Sequence, residues 1–434
     1  MREIAMALVL AVAIAACGKN DQGTGGGSGA VPAGGGGAPV PDAGPAPGPA
    51  PPDAGPAPAP APNPAPAPNP APAPNPAPAP NPAPAPAPGD ADGGPGDSTD
   101  GGVATGGADG GTASPPPAYS VTDLGNAVPT FIDPHGTVAG SVCDDTACAG
   151  ATFTTSGGWT PAPVPSGARW VLVTGIDAAG RLAMNAEFPG TMRSTYSLPY
   201  RSSPLELVPI LATDAHDLTH GSHLNAVNPA GHLVGTFYEN AFGPNESTGS
   251  YFYDGAVTRI LQAPTMNRSE ALAINSHDQV VGWMQVGPEQ HAFLWDHGTV
   301  RDLGTVSGAS TMATAINDSG VVTGWGATSP TSGVSIAFRW DGQMHALGCP
   351  SGTIHCETFA INARGDIVGE ALVSITAGDV AFLHRDGVFY RLADLVQDAP
   401  GWQFDIARAI NDAGQIVGTG RLDGKGHAFL LTPR

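Results

Sequence analysis

The chain has 434 residues, of which 38 are Asp or Glu and 17 are Lys or Arg, so its formal net charge is −21. This balance argues against a nucleic-acid partner, because phosphate binding needs a basic surface. Proline is concentrated before residue 118, which indicates that the chain has an unfolded part followed by a folded part.

The first 16 residues read as a lipoprotein signal peptide. The apolar run Ile4–Ala16 has 13 residues, too few to span a bilayer. It ends in Ile-Ala-Ala-Cys at 14–17, which resembles the bacterial lipobox, where a peptidase cuts before the Cys and the thiol carries a diacylglycerol. The alternative is an ordinary secretory signal with an incidental Cys. We predict a membrane partner through a lipid anchor at Cys17. Because Gly18 follows it, we expect an outer-membrane location, at the cell surface or facing the periplasm.

Residues 17–117 are predicted to be a disordered, lipid-anchored spacer. They are rich in Gly, then in Pro and Ala with a recurring Asn-Pro-Ala-Pro-Ala-Pro unit over 63–86, and then in Gly and Asp. Such a composition has too little apolar surface to offset the entropy lost on folding. The Pro-Ala part is expected to form extended polyproline II, at about 3.1 Å per residue.

Seven copies of one pattern organise residues 118–434. Each copy has an apolar residue, an Asn or Asp that we call the anchor, two variable residues, Gly, a short β-branched run and a second Gly. Successive anchors are 42 to 51 residues apart, a period typical of propellers and solenoids. Asp278 replaces the first Gly in the fourth copy, and Met184 replaces the second Gly in the second copy. The anchors are Asp133, Asp177, Asn228, Asn275, Asn317, Asn362 and Asn411.

The copy from 271 to 304 shows the strands of one unit most clearly. Short apolar or alternating runs at 271–274, 279–284, 291–295 and 299–304 predict four strands. Asn275 stands at the first turn, where its side chain can bond the backbone two residues on. Four short strands in a unit of this length match a propeller blade.

The two ends of the domain predict how it closes. The last copy ends after its third strand, 427–431, and the domain opens with an extra fourth strand, 119–125. We therefore predict an all-β, seven-bladed β-propeller of four-stranded blades, closed by pairing of these two strands, which leaves no open sheet edge. The alternative is an open solenoid with capping units.

The repeat motifs carry a family resemblance. His-Ala-Phe occurs at 291–293 and 427–429, and Asp-Leu-Gly ends the fourth strand at 302–304. With the Ala-Ile-Asn at 315–317, these motifs make the chain similar to the HAF-type extracellular repeat proteins of bacteria. The resemblance covers 119–434, and it implies an exported β protein without implying a reaction.

Four cysteines remain after Cys17, and they form two close pairs. Exported proteins meet an oxidising compartment, so we predict local disulfides within each pair. A four-Cys zinc site is the alternative, but the spacing within each pair does not suit it. The predicted disulfide cysteines are Cys143, Cys148, Cys349 and Cys356.

Three sets of residues are candidates for binding. Trp283 and Trp325 each follow the second Gly of a copy and could stack on sugar rings at a propeller mouth, or pack between blades. His216 and His220 faintly resemble a zinc-protease motif, but a solvated loop explains them better. Asn-Asp turns at 317–318 and 411–412 could hold calcium, although turn formation also explains them.

No catalytic motif is present in the sequence, and we expect no cofactor or metal. We predict a cell-surface lipoprotein whose propeller domain (118–434) has a binding or scaffold role, with a glycan or protein ligand. The alternative is an enzyme that degrades envelope or extracellular polymers at the propeller axis.

Overall fold

A computed structural model describes residues 117–144, 147–189, 195–208, 221–239, 247–260, 268–374 and 376–434. All of them belong to the compact unit that contains Ala113–Arg434. The predicted signal peptide, the Cys17 anchor, the spacer up to 116 and the His216/His220 pair lie outside the described residues.

The first strand, β1 (Tyr119–Gly125), belongs to the last sheet, and the next eight strands form one sheet. This sheet is two antiparallel four-strand runs joined where Cys148 pairs in parallel with Trp170. Each of the first two repeats thus has the predicted four strands, and the single Cys148–Trp170 pair makes their two sheets continuous, which the sequence did not predict. The strands are β2 (Ala127–Ile132), β3 (Val138–Cys143), β4 (Cys148–Thr154), β5 (Gly158–Pro161), β6 (Trp170–Ile176), β7 (Leu182–Pro189), β8 (Thr195–Arg201) and β9 (Glu206–Leu207).

The next four repeats each form a separate antiparallel four-stranded sheet in sequence order. The third repeat has β10 (Gly221–Val227), β11 (Leu233–Glu239), β12 (Ser247–Tyr253) and β13 (Val257–Arg259). The fourth has β14 (Ser269–Ile274), β15 (Val280–Val286), β16 (Glu289–Asp296) and β17 (Thr299–Gly304). The fifth has β18 (Thr311–Ile316), β19 (Val322–Ala327), β20 (Ser335–Trp340) and β21 (Met344–Gly348). The sixth has β22 (His355–Ile361), β23 (Ile367–Ser374), β24 (Gly378–Arg385) and β25 (Val388–Arg391), followed by the short helix α1 (Leu392–Leu395).

The last sheet joins the two ends of the domain. It contains β26 (Trp402–Ile410), β27 (Ile416–Leu422) and β28 (Lys425–Pro433), and β1 pairs antiparallel with β28 as the fourth strand. The predicted pairing of 119–125 with 427–431 is thus present. His427 of the His-Ala-Phe motif contacts Asp123 across the two strands, Nδ1 to Oδ1, at 2.9 Å. The same pair occurs within the fourth repeat as His291 and Asp302, so the motifs of the third and fourth strands hold each other in register.

Each anchor side chain organises its own turn. The Asn275 Oδ1 accepts the backbone N–H groups of His277 and Gln279, both at 3.0 Å, as the sequence predicts for the first of them. The third residue after the anchor takes a left-handed conformation, φ 74° at Gly320 and φ 60° at Asp278. Asp is among the residues that tolerate this region, which explains the exception in the fourth copy.

The anchor amides also link neighbouring repeats. Each Asn donates its Nδ2–H to the backbone oxygen of the next anchor along the chain, and the last donates to the first. The side chains of Asp133 and Asp177 have no N–H group and cannot donate in this way. Beside Asp177, the link to the next repeat is made by the Ala178 backbone N–H, which donates to the Pro229 backbone oxygen at 3.0 Å. The bonds join Asn228 to Asn275 (3.1 Å), Asn275 to Asn317 (3.1 Å), Asn317 to Asn362 (3.0 Å), Asn362 to Asn411 (3.2 Å) and Asn411 to Asp133 (2.9 Å).

The second Gly of the repeat allows the first and second strands to approach closely. A Cβ on Gly282 would lie 1.8 Å from the Glu270 carbonyl oxygen, so no larger side chain fits without a shift of the backbone. In the fourth to seventh repeats, a Phe of the third strand fills the core beside this Gly. These rings are completely buried: Phe293, Phe338, Phe382 and Phe429. Burying such a ring stabilises the fold by about 1.5–3 kcal/mol.

The second strand of each repeat packs against the first strand of the next, and β27 packs against β2. Buried apolar clusters lie between these neighbours, such as the one that joins Val281 and Leu294 of the fourth repeat to Val322 and Phe338 of the fifth. The described part of the chain is therefore all-β apart from α1. Within it, no helix has the length and apolar character needed to cross a bilayer.

Both predicted disulfides are present. Cys143 is bonded to Cys148 across the β3–β4 hairpin, with Cα atoms 4.1 Å apart, and Cys349 is bonded to Cys356 with Cα atoms 5.7 Å apart. Each bridge closes a short loop within or beside one repeat, so neither bridge joins distant parts of the chain.

Candidate functional site

The first strand of every repeat has a β-bulge at the same place. Its register with the second strand skips the third residue before the anchor in all seven copies. A bulge re-aims the side chain of the extra residue and is common next to functional sites. The bulged residues are Thr130, Thr174, Asn225, Leu272, Thr314, Phe359 and Arg408.

Exposure alternates along these first strands. The bulged residue is half-buried in every copy, and the residue before it is buried. The residue two positions before the bulge is again half-buried, except in the last copy, where Ile406 is buried. The first strands therefore present one face to solvent, and we call that face the lumen face. Beside the bulged residues it includes Val128, Leu172, His223, Glu270, Met312, Glu357 and Ile406.

Most bulged polar side chains bond back to the protein. Thr130, Thr174 and Thr314 donate their hydroxyls to carbonyl oxygens of their own second strands, at 3.2–3.3 Å. Phe359 and Arg408 differ, because they meet each other: the Arg408 Cζ lies 4.6 Å from the centroid of the Phe359 ring. This is a cation–π contact across the boundary between the sixth and seventh repeats.

Charged side chains surround this contact in what we call the charged cleft. One bidentate pair lies at its edge, where Arg421 donates to both carboxylate oxygens of Asp405, each at 2.9 Å. Glu357 and Glu370 are directly opposite one another on β22 and β23. The cleft consists of Glu357, Glu370 and Asp379 from the sixth repeat and Asp405, Arg408 and Arg421 from the seventh.

Burial dominates the electrostatics of the cleft. It raises the pKa of Glu370 to about 7, against the lowering effect of Arg408, and the Glu357, Asp379 and Asp405 carboxylates raise it further. Burial likewise raises the pKa of Glu357 and of Asp379. Carboxyl groups with raised pKa values are a common feature of functional sites, although ion networks also produce them.

Two other groups on the lumen face are affected by burial. Burial lowers the pKa of His223 to about 4, so this imidazole is neutral at pH 7. Burial raises the pKa of Glu270, against the lowering effect of Trp283, its cross-strand neighbour. The lumen face therefore carries half-buried titratable groups with shifted pKa values in the third, fourth and sixth repeats.

A small cavity of about 160 Å³ lies at the anchor turns. Apolar side chains that precede the anchors line it, including Val227, Ile274, Ile316 and Ile361, together with Phe131. Its polar groups are already used by the protein. Asp318 accepts the Ser276 N–H at 2.9 Å and Asp412 accepts the Ala363 N–H at 2.7 Å, so the Asn-Asp turns have a structural use. Within the described ranges, no group of three or more His, Cys, Asp or Glu could hold a metal ion.

The two tryptophans predicted to bind a ligand lie on second strands. Trp283 is 5% exposed, a burial that favours packing between sheets. Trp325 is half-buried beside Met312 of the lumen face. Glu370 occupies the equivalent position in the sixth repeat, eight residues after its anchor. Ligand binding by either ring stays a prediction.

The charged cleft was not singled out by the sequence. The repeat pattern gives a signal for only one of its residues: Arg408 stands at the third position before its anchor, where the other copies have Thr, Asn, Leu or Phe. Glu357 gives no such signal, because the fourth copy has Glu270 at the same position. Asp379, Asp405 and Arg421 have no such signal, because only packing brings them together.

Comparisons with known proteins agree on the fold. No family model matches the chain, and no curated protein matches it. Among solved structures, the chain is similar to oligogalacturonate lyase from Vibrio parahaemolyticus, with a TM-score of 0.50 and 10% identity over 72% of this chain and 93% of that one.

Two further structures share a lower similarity. The β-propeller domain of the Trilobed protease from Pyrococcus furiosus has a TM-score of 0.43 and 11% identity, over 61% of this chain and 81% of that one. Virginiamycin B lyase from Staphylococcus aureus has a TM-score of 0.42 and 12% identity, over 72% and 99%. The structural neighbours are thus propeller proteins, and at these identities the likeness concerns the fold alone.

Proposed function

We propose that residues 118–434 form a closed seven-bladed propeller that acts as a binding module on an exported lipoprotein. Three observations support the ring: β1 pairs with β28, β27 packs against β2, and Asn411 bonds Asp133. In such a ring the first strands surround the axis, and the lumen face lines a central channel. Kinship with the HAF-type repeat proteins belongs to the same proposal.

The observation that carries the binding function is the charged cleft beside the lumen face. Glu370 is 9% exposed and accepts no hydrogen bond from any group that the structure describes, while the neighbouring Phe359 and Arg408 remain half-buried. The Glu370 oxygens are not among the fully enclosed side-chain atoms that lack a partner, so the carboxylate can be reached from solvent. A carboxylate that is accessible at its oxygens but has no donor from the protein is consistent with a ligand that supplies those hydrogen bonds.

The test is capture of a ligand from envelope extracts and from a glycan panel with the intact protein. A matched pair of variants, Glu370→Gln in the cleft and Glu206→Gln on β9, separates the cleft from the rest of the surface. We expect capture by the wild type and by Glu206→Gln and its loss in Glu370→Gln. Equal capture by all three proteins would place the binding function elsewhere.

A second candidate is an enzyme acting on envelope or extracellular polymers. Its supporting observation is the opposed pair Glu357 and Glu370, both with raised pKa values beside an arginine. General acid catalysis uses a carboxyl that stays protonated near neutral pH. Release of soluble fragments from envelope polymers, abolished in Glu370→Gln, would favour the enzyme over the binding module.

Location is tested through the proposed lipid anchor. A Cys17→Ser variant is expected to move from the membrane fraction to the soluble fraction, because the thiol that would carry the diacylglycerol is gone. Fractionation followed by immunoblotting measures this, and Cys143→Ser serves as a control that leaves Cys17 intact. A Cys17→Ser protein that stays with the membranes would exclude the anchor.

A further inference from the structure

We propose that the charged cleft binds a primary ammonium group carried on an alkyl chain, the chemistry shared by polyamines and lysine side chains. This inference rests on the proposed binding function and names its ligand class.

The charge balance of the cleft favours a cation. The Asp405 carboxylate is occupied by the bidentate bonds of Arg421. Arg408 is the counter-charge for Glu357 and Glu370, whereas Asp379 faces Arg421 and His355. With the four carboxyl groups ionised, they exceed the two arginines by two negative charges in a largely buried place, and such an excess is costly unless a proton or another cation reduces it.

The unpartnered carboxyl points to the same class of ligand. Glu370 is 9% exposed, and the structure's described residues offer it no hydrogen-bond donor. Its cross-strand neighbour, Glu357, has no hydrogen bond to its side chain there either. An ammonium group has three N–H donors and no acceptor, so it can bond two adjacent carboxylates at once.

The surroundings suit an alkyl chain better than a bare metal ion. Met312 holds the position equivalent to Glu357 in the fifth repeat, whose first strand packs against that of the sixth, and the half-buried Phe359 follows Glu357 by two residues. Methylene groups pack on such side chains while the charged end stays with its partners. The described carboxyl groups, moreover, do not form a cluster that could hold a metal ion.

Isothermal titration calorimetry on the full-length protein tests the proposal, with putrescine and Nα-acetyl-lysine amide as probes and 1,4-butanediol as the uncharged control. We expect both amines to bind and the diol not to bind. Glu370→Gln and Glu357→Gln should each weaken putrescine binding about tenfold or more, because a hydrogen bond to a charged group is lost. Glu206→Gln should bind as the wild type does.

The pH dependence supplies a second readout. Ionised Glu370 is the form that attracts the cation, so putrescine affinity should rise between pH 6 and pH 8 with release of a proton, and this rise should vanish in Glu370→Gln. The groups that face Glu370 are Glu357 and Asp379 from its own sheet and Asp405 and Arg408 from the next. His355 and Arg421 face Asp379.

Several outcomes would overturn the inference. The first is that the diol binds as tightly as putrescine. The second is that Glu370→Gln binds putrescine as tightly as the wild type does. The third is that Ca²⁺ displaces putrescine when the two are present at the same concentration. If envelope ligands are captured through the cleft while neither amine binds, the ligand class is wrong and the binding function stands. If the amines bind but nothing is captured, the cleft is a small-molecule site and the proposed macromolecular binding fails.

Discussion

Asn411 donates its side-chain N–H to the backbone oxygen of Asp133 across 2.9 Å, although the two residues are 278 positions apart in the chain. Its Oδ1 accepts the Gln415 N–H of its own turn at 2.9 Å. One side chain therefore shapes a turn and links the last repeat to the first. This double use explains why most anchors are Asn rather than Asp.

An Asn411→Asp variant separates the two uses. The carboxylate can still accept the Gln415 N–H bond but can donate neither to the Asp133 backbone oxygen nor to Gln415 Oε1, so we expect the unfolding free energy to fall by about 1–3 kcal/mol. Asn411→Ala should cost more, because the bond from the Gln415 N–H is lost as well. Urea denaturation measures the two variants, and equal stability of Asn411→Asp and the wild type would show that the link contributes nothing.

The second Gly of the repeat provides a packing test. In Gly418→Ala the new Cβ would lie 1.9 Å from the Ile406 carbonyl oxygen, so the strands must separate and we expect a loss of about 1–3 kcal/mol. The control is Gly333→Ala, where no atom lies within 4 Å of the added Cβ. Thermal denaturation measures both variants. Equal melting temperatures would contradict the close approach of the two strands at the second Gly of the repeat.

The sequence predicts the strands well because the signal is local and repeated seven times. Alternating runs, the Asn275 turn and the two cysteine pairs each depend on residues close in the chain. The Asn411–Asp133 bond and the His427–Asp123 pair need the fold to bring distant residues together. The charged cleft is harder still, since Asp405 and Glu370 become neighbours only through packing of two sheets.

Glu370 predicts a pH-dependent stability. Its pKa is raised from 4.5 to about 7 in the folded protein, so the folded state holds a proton that the unfolded state releases first. The contribution of Glu370 to the free energy of unfolding is therefore fully present below pH about 4.5. It is lost as the pH rises to about 7, and the total loss is on the order of 3 kcal/mol.

The measurement is the difference in stability between Glu370→Gln and the wild type. Gln resembles the neutral acid, so the variant should be more stable than the wild type at pH 8 and nearly equal to it at pH 4. Glu206→Gln, on an exposed strand, controls for the loss of one negative charge. A Glu370→Gln protein that is less stable than the wild type at pH 8 would refute burial as the cause.

The disulfides are expected to stabilise the fold modestly. Each bridge closes a loop of few residues. Reduction of one bridge should therefore lower the free energy of unfolding by an amount near the lower end of the range of about 2–4 kcal/mol. Alkylation without reductant followed by intact mass measurement should find Cys143, Cys148, Cys349 and Cys356 unmodified. Modification of two or more of them in the exported protein would contradict the bridges.

Closure of the ring through β1 is tested most directly by thermal denaturation of a protein that lacks residues 118–126. Deletion of these residues removes the partner of β28, exposes the strand that holds Phe429, and breaks the His427–Asp123 contact. We predict a lower melting temperature or aggregation, with comparable damage from deletion of 426–434 and no change from deletion of 20–110. A melting temperature that is unchanged by deletion of 118–126 would contradict the closed ring.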